Sequence, residues 1–178
     1  MKLTLNRAQQ RYLGLVGESS PSDPEVLPVS QVTFSADALR AFRPWLAVPG
    51  HWQGGTLFGT HQGDTLHIRF IARNGYPVHP STSDPLDVDE NYLLGWSDSL
   101  TAQSHHIEWV GQWLMSPDRR LSDLSTDLAW IERAQATGLV DDLHVLVMVG
   151  WVDGQLTLRP YSYDHNLGQA QLITEGAV

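Results

Sequence analysis

Eight histidines and no cysteine set the metal and nucleophile chemistry open to this chain. Without thiolates there is no disulfide, no cysteine zinc site and no cysteine nucleophile. His105-His106 precedes a tryptophan-rich strand, and adjacent residues on a strand face opposite ways, so this pair chelates only if it lies in a loop. Its plainer reading is a polar pair at a surface or helix end. His61 and His67 fall in or beside a predicted hairpin turn and read as exposed. Ser116 as a nucleophile would need a histidine base and an orienting acid, and no G-x-S-x-G elbow surrounds it. Asp118-Arg119-Arg120 reads as solvated loop charge, able at most to contact an acidic partner.

The elements that must position such groups follow from periodicity. Val32-Thr33-Phe34 predicts a short strand, and Ser35 caps a helix from Ala36 with Leu39, Phe42 and Leu46 at helical spacing. Two apolar runs, 54–59 and 65–71, flank a polar turn and predict a hairpin. Residues 75–85 read as a loop and 88–104 as a weakly amphipathic helix. Ile107 to Met115 reads as a strand with Trp109 and Trp113 on the same face, followed by a polar connection at 118–122. Ser125 to Ala136 reads as a helix with Leu124, Leu128 and Ile131 on one face. Leu143 to Val152 has the near-continuous apolar character of a central strand. Asp153-Gly154 turns it into a second hairpin, and the tail from His165 reads as loose. Three prolines, 21, 24 and 28, oppose regular structure before residue 30. The expected organisation is an N-terminal arm over 1–30 and one mixed α/β domain over 31–178, a mixed β-sheet flanked by helices.

Composition narrows the function classes. At 178 residues the chain can bury a sizeable core. A net charge of −9 disfavours nonspecific nucleic-acid binding. No apolar run approaches the roughly 18 residues of a membrane span, and the N-terminus lacks the apolar stretch of a secretory signal. The expectation is a soluble, cytoplasmic protein.

Three blocks carry a more specific signal: Trp52-Gln53-Gly54-Gly55-Thr56-Leu57-Phe58-Gly59, then Gly111-Gln112-Trp113-Leu114-Met115-Ser116-Pro117, then Leu124-Ser125-Thr126-Asp127-Leu128. In order and spacing, over about residues 32–163, they resemble the JAB/MPN (JAMM) metalloprotease domain. That family carries E-x-x-G-L-L-x-G, then G-x-W-H-S-H-P, then S-x-x-D at a helix start. Glycines 55, 59 and 111, Trp113, Pro117 and Asp127 match in register.

The resemblance implies a cytidine-deaminase-like α/β fold and zinc chemistry, and the departures fall on the zinc chemistry. The family's catalytic glutamate falls at Trp52, or at Gln53 if the register slips by one. Its two zinc histidines fall at Leu114 and Ser116, and its serine at Leu124. Only Asp127 keeps its identity. In the family, two imidazoles on one strand face and an aspartate leave an open position for a zinc-bound water, and the glutamate moves protons. Leucine has no lone pair, a neutral serine hydroxyl is a poor zinc ligand, and an indole nitrogen only donates.

The expectation is therefore a degenerate, non-catalytic JAB/MPN-like domain with no cofactor. By analogy it serves as a scaffold binding a protein partner or a second copy of itself, with no nucleic acid and no membrane. The alternatives are a metal-dependent hydrolase with relocated ligands around Asp127 and His51, or a small-ligand binder using the old cleft. Asp127, near a helix start, would then serve the helix as a cap or dipole partner.

Overall fold

A computed structural model describes residues 27–75, 84–104, 106–164 and 166–176. Most of the expected arm, most of the loop after Gly75, and His105 lie outside these residues. Eight strands make one sheet: β1 Gln31–Phe34, β2 Gln53–Gln62, β3 Thr65–Arg73, β4 Glu108–Arg120, β5 Val145–Val152, β6 Gln155–Asp164, β7 Gln169–Leu172 and β8 Thr174–Glu175. The helices among the described residues are α1 Ala36–Leu46, α2 Glu90–Gln103 and α3 Leu124–Ala136. The class is mixed α/β, as expected.

The sheet order is β7-β6-β5-β4-β2-β3-β1-β8. β2 with β3 and β5 with β6 are the two expected antiparallel hairpins, while β4 runs parallel to β5 and β1 parallel to β3. β7 and β8 are separated by Ile173 alone, yet they sit on opposite edges of the sheet. Residues 169–175 therefore carry the chain from one edge to the other, and the sheet is nearly closed. This corrects the expected loose tail. The short polar stretch Gln169–Leu172 has little hydrophobic pattern, but pairing satisfies backbone groups that an open edge would leave bare.

Closure divides the core. The inner face gathers Val32, Phe34, Leu57, Leu66, Ile68, Trp113, Met115, Val147 and Ile173 around Phe42 and Leu46 of α1. The outer face carries two clusters. One groups Leu114, Leu146, Met148 and Tyr161 with Ile131 and Ala134 of α3; the other groups Phe58, Ala72 and Trp109 with Leu93 and Leu100 of α2. Each helix starts on a side-chain cap: Ser35 accepts from Ala38 N, Asp89 from Tyr92 N, and Asp123 from Thr126 N. No helix among the described residues is long and apolar enough to cross a membrane.

Two local expectations fail for identifiable reasons. Trp109 and Trp113 do not share a face. Leu57 pairs with Gly111 and Phe58 with Trp109, so Val110 is an extra residue opposite β2. This bulge flips the side-chain alternation of β4, placing Ile107 and Trp109 outside and Val110, Trp113 and Met115 inside. The buried stripe of α3 is Asp127, Ile131 and Ala134, whereas Leu124 and Leu128 are exposed on its flank.

The bulge requires glycine at 111. Its φ is +149°, and a Cβ there would lie 2.1 Å from the Val145 carbonyl oxygen of β5. Gly111→Ala is expected to cost about 3 kcal/mol or more, in the range of backbone clashes in a packed core. Chemical denaturation checks this; an unchanged midpoint would mean that β4 and β5 do not pair in this register.

Candidate functional site

Three of the residues that the sequence singled out, Trp52, Leu114 and Asp127, lie on the outer face. Trp52 leads into β2, Leu114 lies near the middle of β4, and Asp127 lies in α3. Leu114 is fully buried and belongs to the cluster with Leu86, Ile131 and Met148, against which Trp52 also packs. The Trp52 ring lies 5.0 Å from that of Trp130, tilted by 59°. Trp52 and Leu114 thus join an apolar packing unit with α3. Gln53 points to the other face, opposite Met115, so the single-residue ambiguity in register is a choice between two sides of the sheet.

A strap covers this packing unit. Leu86 is buried in the same cluster, and the Pro85 carbonyl lies so close over Gly54 that a Cβ there would come within 1.8 Å of its oxygen. Asn74 Nδ2 donates to Pro85 O at 2.6 Å, and Asp84 pairs with Arg133 of α3. Arg133 in turn lies over the Trp130 ring, 5.3 Å from its centroid.

Asp127 is fully buried. Its Oδ2 accepts from Arg159 Nη1 at 2.6 Å and from Tyr161 OH at 2.8 Å, and its Oδ1 accepts from the Ser122 hydroxyl. Arg159 also donates to the Ser122 carbonyl at 3.0 Å. The expected capping role is corrected: Asp123 caps α3, while Asp127 lies one turn inside and holds β6 to the helix. Its partners come from 5, 32 and 34 residues away. A single sequence signals this only through Arg159 and Tyr161, an i, i+2 polar pair on the outer face of a strand. Burial pulls the Arg159 pKa down, but bonds to Asp127 and Tyr161 more than offset this, leaving it raised. Burial, then the bond to Asp127, push the Tyr161 hydroxyl up to about 12. Hydrogen bonds from Ser125 and from the Thr126 backbone hold the fully exposed Asp123 down at about 2.

The remaining candidates are distributed as follows. Ser116 is buried, and its hydroxyl donates within its own turn to Asp118, 2.8 Å away. That bond, followed by one from the Arg120 backbone, holds the Asp118 carboxyl below the usual range. Leu124 is 59% exposed. His51 lies at the end of the sheet and offers its carbonyl to Arg119 Nη1 at 3.1 Å; it is not among the side chains bonded to Asp127. Among the described residues, no three His, Asp or Glu side chains group as metal ligands.

Arg119 corrects the reading of its tripeptide as solvated charge. It is 2% exposed and sits at φ +63°, with its guanidinium on the carbonyls of Val48, His51 and Ser116. These bonds fix the segment that leads into Trp52. Strand β4 accordingly runs on to Arg120, which pairs with Trp151, instead of ending in a polar connection. His67, expected to be exposed, is half-buried and hydrogen-bonds Thr33 Oγ1 through Nδ1 at 2.7 Å.

No protein-family model matches the chain, and no curated protein matches it. Among solved structures, the solution structure of protein DSY2949 from Desulfitobacterium hafniense is similar, with a TM-score of 0.50 and 10% identity. The match covers 83% of this chain and 94% of that one. At that identity the likeness concerns the fold alone.

Two predictions follow from the Asp127 network. Asp127→Ala leaves Arg159 without its counter-charge and is expected to cost about 3 kcal/mol, the lower end for a broken buried pair because Arg159 reaches solvent. Urea denaturation reads it, and a loss below about 1 kcal/mol would return Asp127 to a marginal role. The folded-state pKa of Tyr161 lies above its ordinary value of 10.0. Its contribution is therefore fully present below pH 10 and falls away as pH rises through about 12. Over pH 9–12 the stability of Tyr161→Phe should fall less steeply than that of the parent.

Proposed function

We propose that this chain is a non-catalytic JAB/MPN-like domain whose role is to bind a protein partner or a second copy of itself. The observation that carries this reading is the state of the equivalent positions. Trp52 and Leu114 share one apolar cluster on the outer face, and Asp127 accepts from Tyr161 of the same cluster. Two of them are spent on apolar packing and the third on an internal ion pair.

The matched residues support the same reading through a shared contact. Trp113 Nε1 donates to Ala72 O at 2.9 Å across Gly55, where a Cβ would sit 2.2 Å from that nitrogen. The glycine and the tryptophan, which lie in separate matched blocks, thus require each other sterically. What persists of the pattern is scaffold, and what is changed is chemistry.

The binding role rests on the flank of α3. Leu124 and Leu128 are 59% and 46% exposed, and Leu172 of β7 is 63% exposed on the same outer face. α3 packs over β5, β6 and β7, so the three leucines border one apolar flank, opposite the side where Trp130 meets Trp52.

Leu114→His with Ser116→His tests the register. The double variant should lose about 2 kcal/mol from the lost leucine burial. It should also bind zinc, while the parent binds none after dialysis; both are read by elemental analysis and by melting with and without zinc. Equal zinc binding by parent and variant would sink the assignment. Leu128→Glu should weaken self-association, or capture of a partner identified by cross-linking, while leaving the melting temperature within a few degrees. Unchanged association would remove this flank from the proposal.

A further inference from the structure

The two flanks of α3 differ in charge. On the Trp130 side, Arg133 pairs with Asp84 and lies over the indole ring. On the opposite side, Leu124 and Leu128 stand one turn apart, both exposed, and Leu172 of β7 borders them. Asp123 precedes Leu124, and Glu132 follows Leu128 by one turn, so acids bound the apolar stripe at both ends. Both acids are exposed. Asp123 Oδ1 accepts from Ser125 Oγ at 2.6 Å and from Thr126 N at 2.8 Å, and these bonds bring no positive charge to it. Glu132 forms no ion pair among the described residues. Arg159, on β6 beneath the helix, is committed to Asp127.

This flank is therefore apolar at its centre and negative at its ends, with no free cation among its described residues. It fits a segment of the converse character, apolar in the middle and basic at the rim. A second copy of this chain does not supply one. A two-fold contact through this flank is isologous, so Asp123 and Glu132 would face the same acids and leucines of the other copy. Like charges brought together in this way oppose the contact.

We propose that the α3 flank docks a segment of a different protein, with apolar side chains on Leu124, Leu128 and Leu172 and with lysine or arginine opposite Asp123 and Glu132. The proposal rests on the reading of this flank as the binding surface, and it chooses between the two occupants which that reading allows. The leucines supply the burial, and the acids set orientation and encounter rate. A net charge of −9 on the whole chain steers the same class of partner.

The test is NMR titration of the full chain, reading the methyl signals of Leu124, Leu128 and Leu172. The probe is a synthetic leucine–lysine peptide with leucine at i, i+3, i+4 and i+7. A leucine–glutamate peptide of the same pattern and a serine–lysine peptide without leucine are the controls. Saturable shifts of the three leucines should occur with the first peptide and be about tenfold weaker or absent with either control. Added salt should weaken binding, and Glu132→Lys should weaken it several-fold while improving binding of the glutamate peptide. Shifts that miss these leucines, or equal binding of the serine–lysine peptide, would overturn the site. An unchanged preference in Glu132→Lys would overturn the charge matching. Sedimentation equilibrium of the full chain should show a monomer; a dimer that Leu128→Glu dissociates would assign the flank to a second copy and overturn the proposal. In that last case the flank remains the binding surface, so the two readings fail separately.

Discussion

The indole of Trp113 is the contact on which the rest of the sheet depends. Its N–H reaches across β2 to the Ala72 carbonyl of β3, passing over Gly55, where no side chain fits. Its ring stacks on Trp45 at 4.9 Å and meets Phe42 edge-on at 5.4 Å, and this docks α1 in the inner face. One side chain therefore sets the register of three strands and the seat of a helix. The bulge at Val110 and Gly111 keeps this residue inside while Trp109 stays outside. Trp109 is then free to stack on His144, whose Nδ1 is 2.7 Å from Asp141 Oδ1.

With the inner face fixed, the outer face is held by α3, and its weak point is a buried carboxylate. A charge in such a place is tolerated only when paired and hydrogen-bonded. Asp127 meets that condition through Ser122, Arg159 and Tyr161. The same contacts commit its lone pairs to the fold. Beside it, Leu114, Leu86, Ile131 and Trp52 make an apolar unit from β4, the strap, α3 and the lead into β2. This end of the outer face is closed by packing among the described residues.

Arg119 ties the two faces together. Its guanidinium holds the carbonyls of Val48 and His51 against the Ser116 turn, and so anchors the chain between α1 and β2. A positive φ at a non-glycine residue is a cost of order 1–3 kcal/mol, and here four charge-assisted hydrogen bonds to three carbonyls offset it. The result is a rigid approach to Trp52.

The sequence by itself determined the elements whose signal is local. Ser35 before an amphipathic run, the two hairpins about their polar turns, and the unbroken apolar run of β5 all appear where periodicity put them, because capping, turn geometry and burial on both faces act within a few residues. It also determined that Leu114, Ser116 and Trp52 offer no zinc-site chemistry, since that follows from atom types alone. Tertiary structure decided the rest. The bulge that separates Trp109 from Trp113 arises from pairing between β2 and β4, and the burial of Arg119 depends on carbonyls 68 and 71 residues away. The partners of Asp127 lie on another strand, and the closing strands β7 and β8 form because two distant edges needed covering. In each case the deciding partner is remote in the chain, so local pattern cannot contain it.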